Sequence, residues 1–290
     1  MEFDGLLELY NSPLKELLKE SHALMGEELE LCGLINAKNG RCSENCRYCA
    51  QSSHYKTEIA EHPLVSVQEV IDCAKEAKKN GATRFAIVTS GHSPDENDID
   101  KMCEMIKAIN SLGLKSCASL GILSEKQIEK FRTAGLCRYH HNINTSRSYY
   151  PSINTTHSFE DRINTCKLVK NAGLELCCGV IVGMGETVEQ RVEMALELAK
   201  IAPDSIPFNI LVPIVGTPFE NYHDKIDEEN ILRTLAIFKI ANPKAIVRLC
   251  GGRFQRMSEE IQNIALKNAV EGVLAGNMLT VEGGKLCTTT

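Results

Sequence analysis

The segment Cys42-Ser-Glu-Asn-Cys46-Arg-Tyr-Cys49 constrains this chain more than any other feature, because it gathers three thiols on one short stretch of backbone. Three soft thiolates at C-x3-C-x2-C spacing suit a [4Fe–4S] cluster and leave one of its irons for another ligand. A structural zinc ion normally takes four protein ligands, and no second cysteine pair lies close in sequence to complete such a site. A redox Cys-x-x-Cys pair has no use for the third thiol.

The chain has thirteen cysteines in all, and their meaning depends on compartment. The opening MEFDGLLELYNSPLKELLKE is acidic and amphipathic, without the basic n-region and apolar h-region of a signal peptide. No apolar run approaches the roughly 20 residues of a membrane span. A soluble, cytoplasmic chain is therefore expected, with reduced thiols that serve ligation or packing rather than disulfides. The net charge of -6, with no basic run, excludes an electrostatic nucleic-acid arm and implies no membrane partner.

Apolar strand-like runs alternate with amphipathic segments along the whole length. The runs are LCGLINA (31–37), RFAIVTSG (84–91), KSCASLG (115–121), RYHHNINTS (138–146), ELCCGVIVG (175–183), PFNILVP (207–213), AIVRLCGG (245–252) and EGVLAG (271–276). Between them lie helical patterns such as VQEVIDCAKEAKKNG (67–81) and SEKQIEKFRTAG (124–135), with Gly81, Gly113, Gly135 and Gly173 as C-caps. The alternation predicts an α/β fold with a parallel sheet, and about eight strands in this length predict a single (β/α)8 TIM-type barrel. One domain spans 1–290, with an N-terminal helical extension (1–30), the barrel (31–276) and a C-terminal tail (277–290). A first helix over 6–25 is expected to act as a lid or plug. Chemistry in such barrels sits at the C-terminal ends of the strands, where the Cys42 loop follows the first strand.

A cluster held by Cys42, Cys46 and Cys49 can chelate the amino and carboxylate groups of S-adenosylmethionine (SAM) at its open iron. Reduction then cleaves a carbon–sulfur bond and yields a 5′-deoxyadenosyl radical that abstracts hydrogen. Tyr48, beside the last cysteine, suits an aromatic packed near the adenine.

The loop continues AQSSHYKT, and the whole pattern CxxxCxxCxQSSxY closely resembles the biotin synthases. GATRF, SLGILSE, HHNINTS, AGLELCCGVIVGMGET, IPFNILVPIVGTPF and VRLCGGR extend the resemblance in order over roughly residues 5 to 280. It implies a radical SAM sulfurtransferase that inserts sulfur between C6 and C9 of dethiobiotin, drawing the sulfur from a sacrificial second iron–sulfur cluster in the barrel. It also implies an electron donor such as flavodoxin or ferredoxin, iron–sulfur assembly machinery as a partner, and a homodimer. By the same resemblance, Gly183 and Gly185 of GVIVGMGE belong to the SAM-binding strand and turn, and Arg162 stands near the SAM carboxylate. Asn142 and Asn209 fall where family asparagines hydrogen-bond the ureido ring, a neutral urea that an amide matches as both donor and acceptor.

Departures from the family pattern concern the second cluster, usually [2Fe–2S] on three cysteines and an arginine. The first cysteine position is Ala86 here; the others match Cys117 and Cys177, and the arginine matches Arg248. Residues two apart on a strand share a face, so Cys250 points where Arg248 points. Cys117, Cys177 and Cys250 then form a three-thiolate set for a [4Fe–4S]-type cluster bearing an extra sulfide, with [2Fe–2S] the alternative and Arg248 as neighbour or ligand. Cys178 is expected to face the helices, and Cys32, Cys73, Cys103, Cys137 and Cys166 to be packing residues. Cys287 lies in a polar tail that either stays free or folds over the mouth. His140 stands where asparagine is usual, and Asn144 replaces an aspartate that accepts from the SAM ribose. The competing readings are a rearrangase or metallocofactor maturase of the same branch, and a non-catalytic iron–sulfur carrier.

Overall fold

The structure, a computed structural model, describes residues 2–223 and 225–275; Gly276, the tail and Cys287 lie outside the described residues. The strands are β1 (Glu30–Lys38), β2 (Arg84–Thr89), β3 (Lys115–Ser119), β4 (Arg138–His140), β5 (Glu175–Cys177), β6 (Val180–Val182), β7 (Ser205–Ile210), β8 (Ile246–Leu249) and β9 (Gly272–Ala275). They pair in parallel in the order β5-β4-β3-β2-β1-β9-β8-β7-β6, and a β5–β7 pairing closes the ring. β5 and β6 share one position, so the sheet is an eight-position (β/α)8 barrel, as the alternation predicts.

The run ELCCGVIVG, expected as one strand, is broken at Cys178 and Gly179 because β7 crowds it. A Cβ on Gly179 would lie 2.0 Å from the Pro207 carbonyl oxygen, which only glycine permits. Gly179→Ala is therefore expected to cost about 2–3 kcal/mol through forced backbone displacement, measurable as a lower midpoint in denaturant.

The helices are α1 (Phe3–Asn11), α2 (Leu14–His22), α3 (Val67–Lys79), α4 (Glu96–Ser111), α5 (Glu125–Thr133), α6 (Phe159–Asn171), α7 (Val188–Ile201), α8 (Glu228–Ala241), α9 (Arg253–Arg256) and α10 (Glu259–Asn268). Capping boxes start α3, α5, α6 and α7 at Ser66, Ser124, Ser158 and Thr187. Gly81, Gly113, Gly135 and Gly173 take the left-handed conformation just past their helices, as expected. No described helix is long and apolar enough to cross a membrane.

The single helix expected over 6–25 is two helices, since Pro13 has no amide hydrogen to continue α1 and instead stands at the start of α2. Nor is this extension a lid: it packs on the flank formed by α7, α8 and α10. Leu6, Tyr10 and Leu17 are buried there, and the Tyr10 hydroxyl donates to Asn230 Oδ1 at 2.7 Å and accepts from Arg191 Nη1 at 3.1 Å.

Alternation along the strands decides what enters the barrel. Phe85, Ile87, Ala118, Leu176, Val247 and Leu249 point out into the layer beneath the helices. Their neighbours in sequence point in. Cys178 follows the outward set as expected, meeting Cys166 of α6 at 3.8 Å between sulfurs.

Candidate active site

A cavity of about 380 Å³ occupies the barrel interior and opens at the C-terminal ends of the strands. Its floor is charged. Glu30 Oε2 accepts from Arg84 Nε at 2.6 Å and Glu30 Oε1 from Arg138 Nη1 at 2.8 Å, while Glu175 Oε2 accepts from both arginines at 2.8 Å. Arg248 also donates to Glu30. Burial would raise the Glu30 carboxyl, but Arg248, Arg138 and Arg84 outweigh it and hold it at about 2. Three guanidinium cations thus face two carboxylates, and Arg84 Nη1 and Arg248 Nε are buried without an acceptor. A positive surplus with orphaned donors suits an anionic occupant.

Above the floor, Cys32, Cys117, Cys177 and Cys250 line the cavity. Cys250 shares the inward face with Arg248, as period-two geometry requires. Ala86 lines the same wall, paired with Cys117 of β3, so a methyl group occupies the position of the missing thiol. Cys32 corrects an expectation. Expected as a packing residue low in the barrel, it is buried but lines the cavity. His140 Nδ1 lies 3.5 Å from Cys177 Sγ. Burial works to raise the Cys177 thiol, yet His140, Arg248 and Arg138 bring it down to about 7. Soft sulfur over cations fits an iron–sulfur cluster.

The loop after β1 carries Cys42, Cys46, Tyr48 and Cys49, of which Tyr48 and Cys49 line the cavity. Asn154 Nδ2 donates to Cys46 Sγ at 2.9 Å, and the Cys49 amide donates to the Cys46 carbonyl at 3.0 Å. Burial, aided by the neighbouring Cys46, pushes the Cys49 thiol up to about 12, so iron ligation must displace its proton. Among the described residues no three such side chains converge as a single-ion site does. Thiolates on separate irons of one cluster need no such convergence.

Arg162 of α6 also lines the cavity. Its Nε donates to Tyr150 Oη at 3.0 Å and its Nη2 lies 3.0 Å from His157 Nε2; His157 Nδ1 in turn meets Glu44, which also meets His92 Nδ1 at 2.5 Å. Sequence reading missed Glu44, Tyr150, Asn154 and His157. Glu44 lies inside the cysteine motif itself, and that position was the available signal.

Asn142, Asn144 and Asn209 all line the cavity. Asn142 Oδ1 accepts from the Gly179 amide at 2.9 Å, which fixes its amide plane. Asn209 bridges strands, donating to Val180 O at 3.0 Å and accepting from the Gly251 amide at 3.0 Å. Asn144 adopts φ 67°, a conformation asparagine tolerates better than most residues. Gly183 and Gly185 are not in the lining: Glu186 accepts from the Gly183 and Met184 amides at 2.8 Å, and the glycines serve this turn through positive φ.

A parallel barrel with a three-thiol loop after its first strand, Cys49 of which lines the cavity, has the architecture of a radical SAM enzyme. The sequence pattern of the Radical SAM superfamily matches residues 38–199, and that of the Biotin and Thiamin Synthesis associated domain matches 207–288. Both segments contribute strands to the one sheet. Biotin synthase of Acetivibrio thermocellus is 46% identical over 263 residues, covering 90% of this chain and 81% of that protein. Biotin synthase of Clostridium tetani is 42% identical over 282 residues, covering 96% and 86%. The chain belongs to the biotin synthase family. Solved structures share the fold at lower identity. Methylornithine synthase superposes with TM-score 0.77 at 20% identity, covering 94% of this chain and 78% of that one. The FeFe-hydrogenase maturase HydG of Carboxydothermus hydrogenoformans gives 0.81 at 18% identity, covering 98% and 70%.

Proposed function

We propose that this single-barrel chain converts dethiobiotin to biotin, with Cys42, Cys46 and Cys49 holding the SAM-binding [4Fe–4S] cluster. The observation that carries this reading is that Cys49 of the three-thiol loop lines the same cavity as Cys32, Cys117, Cys177, Cys250 and the cationic floor. When bound, the first cluster and SAM supply a hydrogen-abstracting radical, and the second supplies sulfur. The chain's residues bind, orient and exclude water. Tyr48 packs beside the adenine, and Arg162, locked by Tyr150 and His157, is placed for the SAM carboxylate. Asn142 and Asn209 present amides toward the ureido ring from orientations already set by backbone bonds. Gly183 and Gly185 contribute by shaping the turn after β6.

In this reading Cys117, Cys177 and Cys250 hold the auxiliary cluster, with Arg248 beside it. Its pairing with Glu30 keeps Arg248 cationic, a state that favours donating to sulfide over ligating iron. The absent thiol at Ala86 favours a four-iron cluster with an extra sulfide over [2Fe–2S]. Reduction calls for a one-electron donor such as flavodoxin or ferredoxin, and cluster repair for iron–sulfur assembly machinery; a homodimer remains part of the same reading.

Anaerobic reconstitution followed by dithionite, SAM and dethiobiotin tests it. Biotin at no more than about one equivalent, with loss of auxiliary sulfide, is the expected result. Deoxyadenosine without biotin would transfer the chain to a rearranging or maturing relative. Mössbauer spectra with one four-iron cluster plus a [2Fe–2S] centre would exclude the four-iron auxiliary site. Asn144→Asp is expected to tighten SAM about fivefold by restoring a charged acceptor for the ribose hydroxyls; unchanged affinity in equilibrium dialysis would argue against that contact.

A further inference from the structure

We infer that Cys32 is a fourth thiolate of the auxiliary cluster and takes over the task of the thiol that Ala86 lacks. β1 and β2 are neighbours, with Leu34 paired to Ala86 and Cys32 paired to Arg84. Cys32 therefore enters the barrel one inward layer below the alanine, on the adjacent strand. Cys32 lines the same cavity as Cys117, Cys177, Cys250 and Arg248. The four thiols come from β1, β3, β5 and the end of β8, and so surround the cavity instead of lining one wall.

Two further observations point to an anionic occupant among them. Arg248 Nε and Arg84 Nη1 are buried donors without acceptors, on side chains only 4% and 5% exposed. Gly272, opposite Arg248, leaves room that a Cβ would narrow to 3.1 Å from Arg248 Nε. Each thiol gives up one proton on binding iron, and the cations of the floor offset the resulting charge. This inference rests on the auxiliary-cluster reading and changes it in one respect. Cys32 would supply the side-chain ligand that the three-thiol set lacks.

The test uses the full chain carrying Cys42→Ala, Cys46→Ala and Cys49→Ala, which leaves only auxiliary iron after anaerobic reconstitution. Iron, sulfide and Mössbauer spectra are compared with and without a further Cys32→Ala. The expected result is a fall from about four irons to three or fewer, with the EPR signal of a three-iron cluster on mild oxidation. Cys32→Ser, close in volume, is expected to keep the apo-protein melting temperature while altering the Mössbauer spectrum, which separates ligation from packing. Unchanged iron, sulfide and spectrum in both variants would overturn the assignment of Cys32 and leave the auxiliary cluster standing. Absence of auxiliary iron in the parent triple variant would instead overturn the auxiliary reading, and this inference with it.

Discussion

Replacing any one of Cys42, Cys46 or Cys49 with alanine is expected to lower SAM cleavage and biotin formation by on the order of 10³-fold or more. The three thiols act as a unit, since a cluster short of one ligand neither holds its irons nor presents an open iron correctly. The double and triple variants should therefore lose no more than the single ones, as for other catalytic groups that function together. Anaerobic assay of deoxyadenosine, alongside iron analysis, checks both outcomes. A single variant that keeps more than about a tenth of wild-type SAM cleavage would contradict the assignment of the loop. Auxiliary iron should survive all of these changes, because Cys32, Cys117 and Cys177 lie on strands and Cys250 directly after one, none of them on the loop.

Glu30→Gln is expected to destabilise the cluster-free protein by about 3–5 kcal/mol, because it breaks a buried ionic network by removing one partner. Glu30 serves three guanidinium groups at once, and Glu175 would be left as the sole carboxylate among them. For a chain of this size the melting temperature should fall by roughly 10 °C. The same residue gives a pH signature. Its carboxyl is held at about 2 in the fold, against an ordinary 4.5. Depression of an acid contributes stability that is fully present above about pH 4.5 and lost as the pH falls toward 2. The loss amounts to roughly 3 kcal/mol from this group. Urea denaturation between pH 5 and about pH 3 should show that slope in the wild type and a shallower one in the glutamine variant. Parallel slopes would mean that the network does not hold Glu30 ionised.

Much of the site was legible before folding because its chemistry is local. The cluster loop is a matter of spacing: C-x3-C-x2-C must put three thiols on one turn of backbone wherever the chain leads. Helix caps at Ser66, Ser124, Ser158 and Thr187 are likewise short-range, and so is the strand–helix rhythm that specifies a barrel. Even Cys250 could be placed, since its phase is tied to Arg248 two residues earlier.

Cys32 shows where such reasoning stops. A strand buried on both faces lacks the polar–apolar alternation that would tell inward from outward, so a thiol there reads as core. Asn36, four residues on and in the same phase, was the signal that Cys32 faces the cavity. The splitting of ELCCGVIVG at Gly179 escaped for a related reason: the carbonyl that forbids a side chain there belongs to Pro207, on another strand.

By itself, then, the sequence determined the three-thiol loop, the barrel and the family, all properties of short spacing or repeating pattern. Only the tertiary structure decided which of the remaining thiols and charges share one cavity. Positions 30, 32, 84, 117, 138, 177 and 248 become neighbours when the sheet closes on itself. Closure buries their charges and thiols in one shared, low-dielectric space, where the surrounding cations hold an acid at about 2 and two arginine donors are left without acceptors.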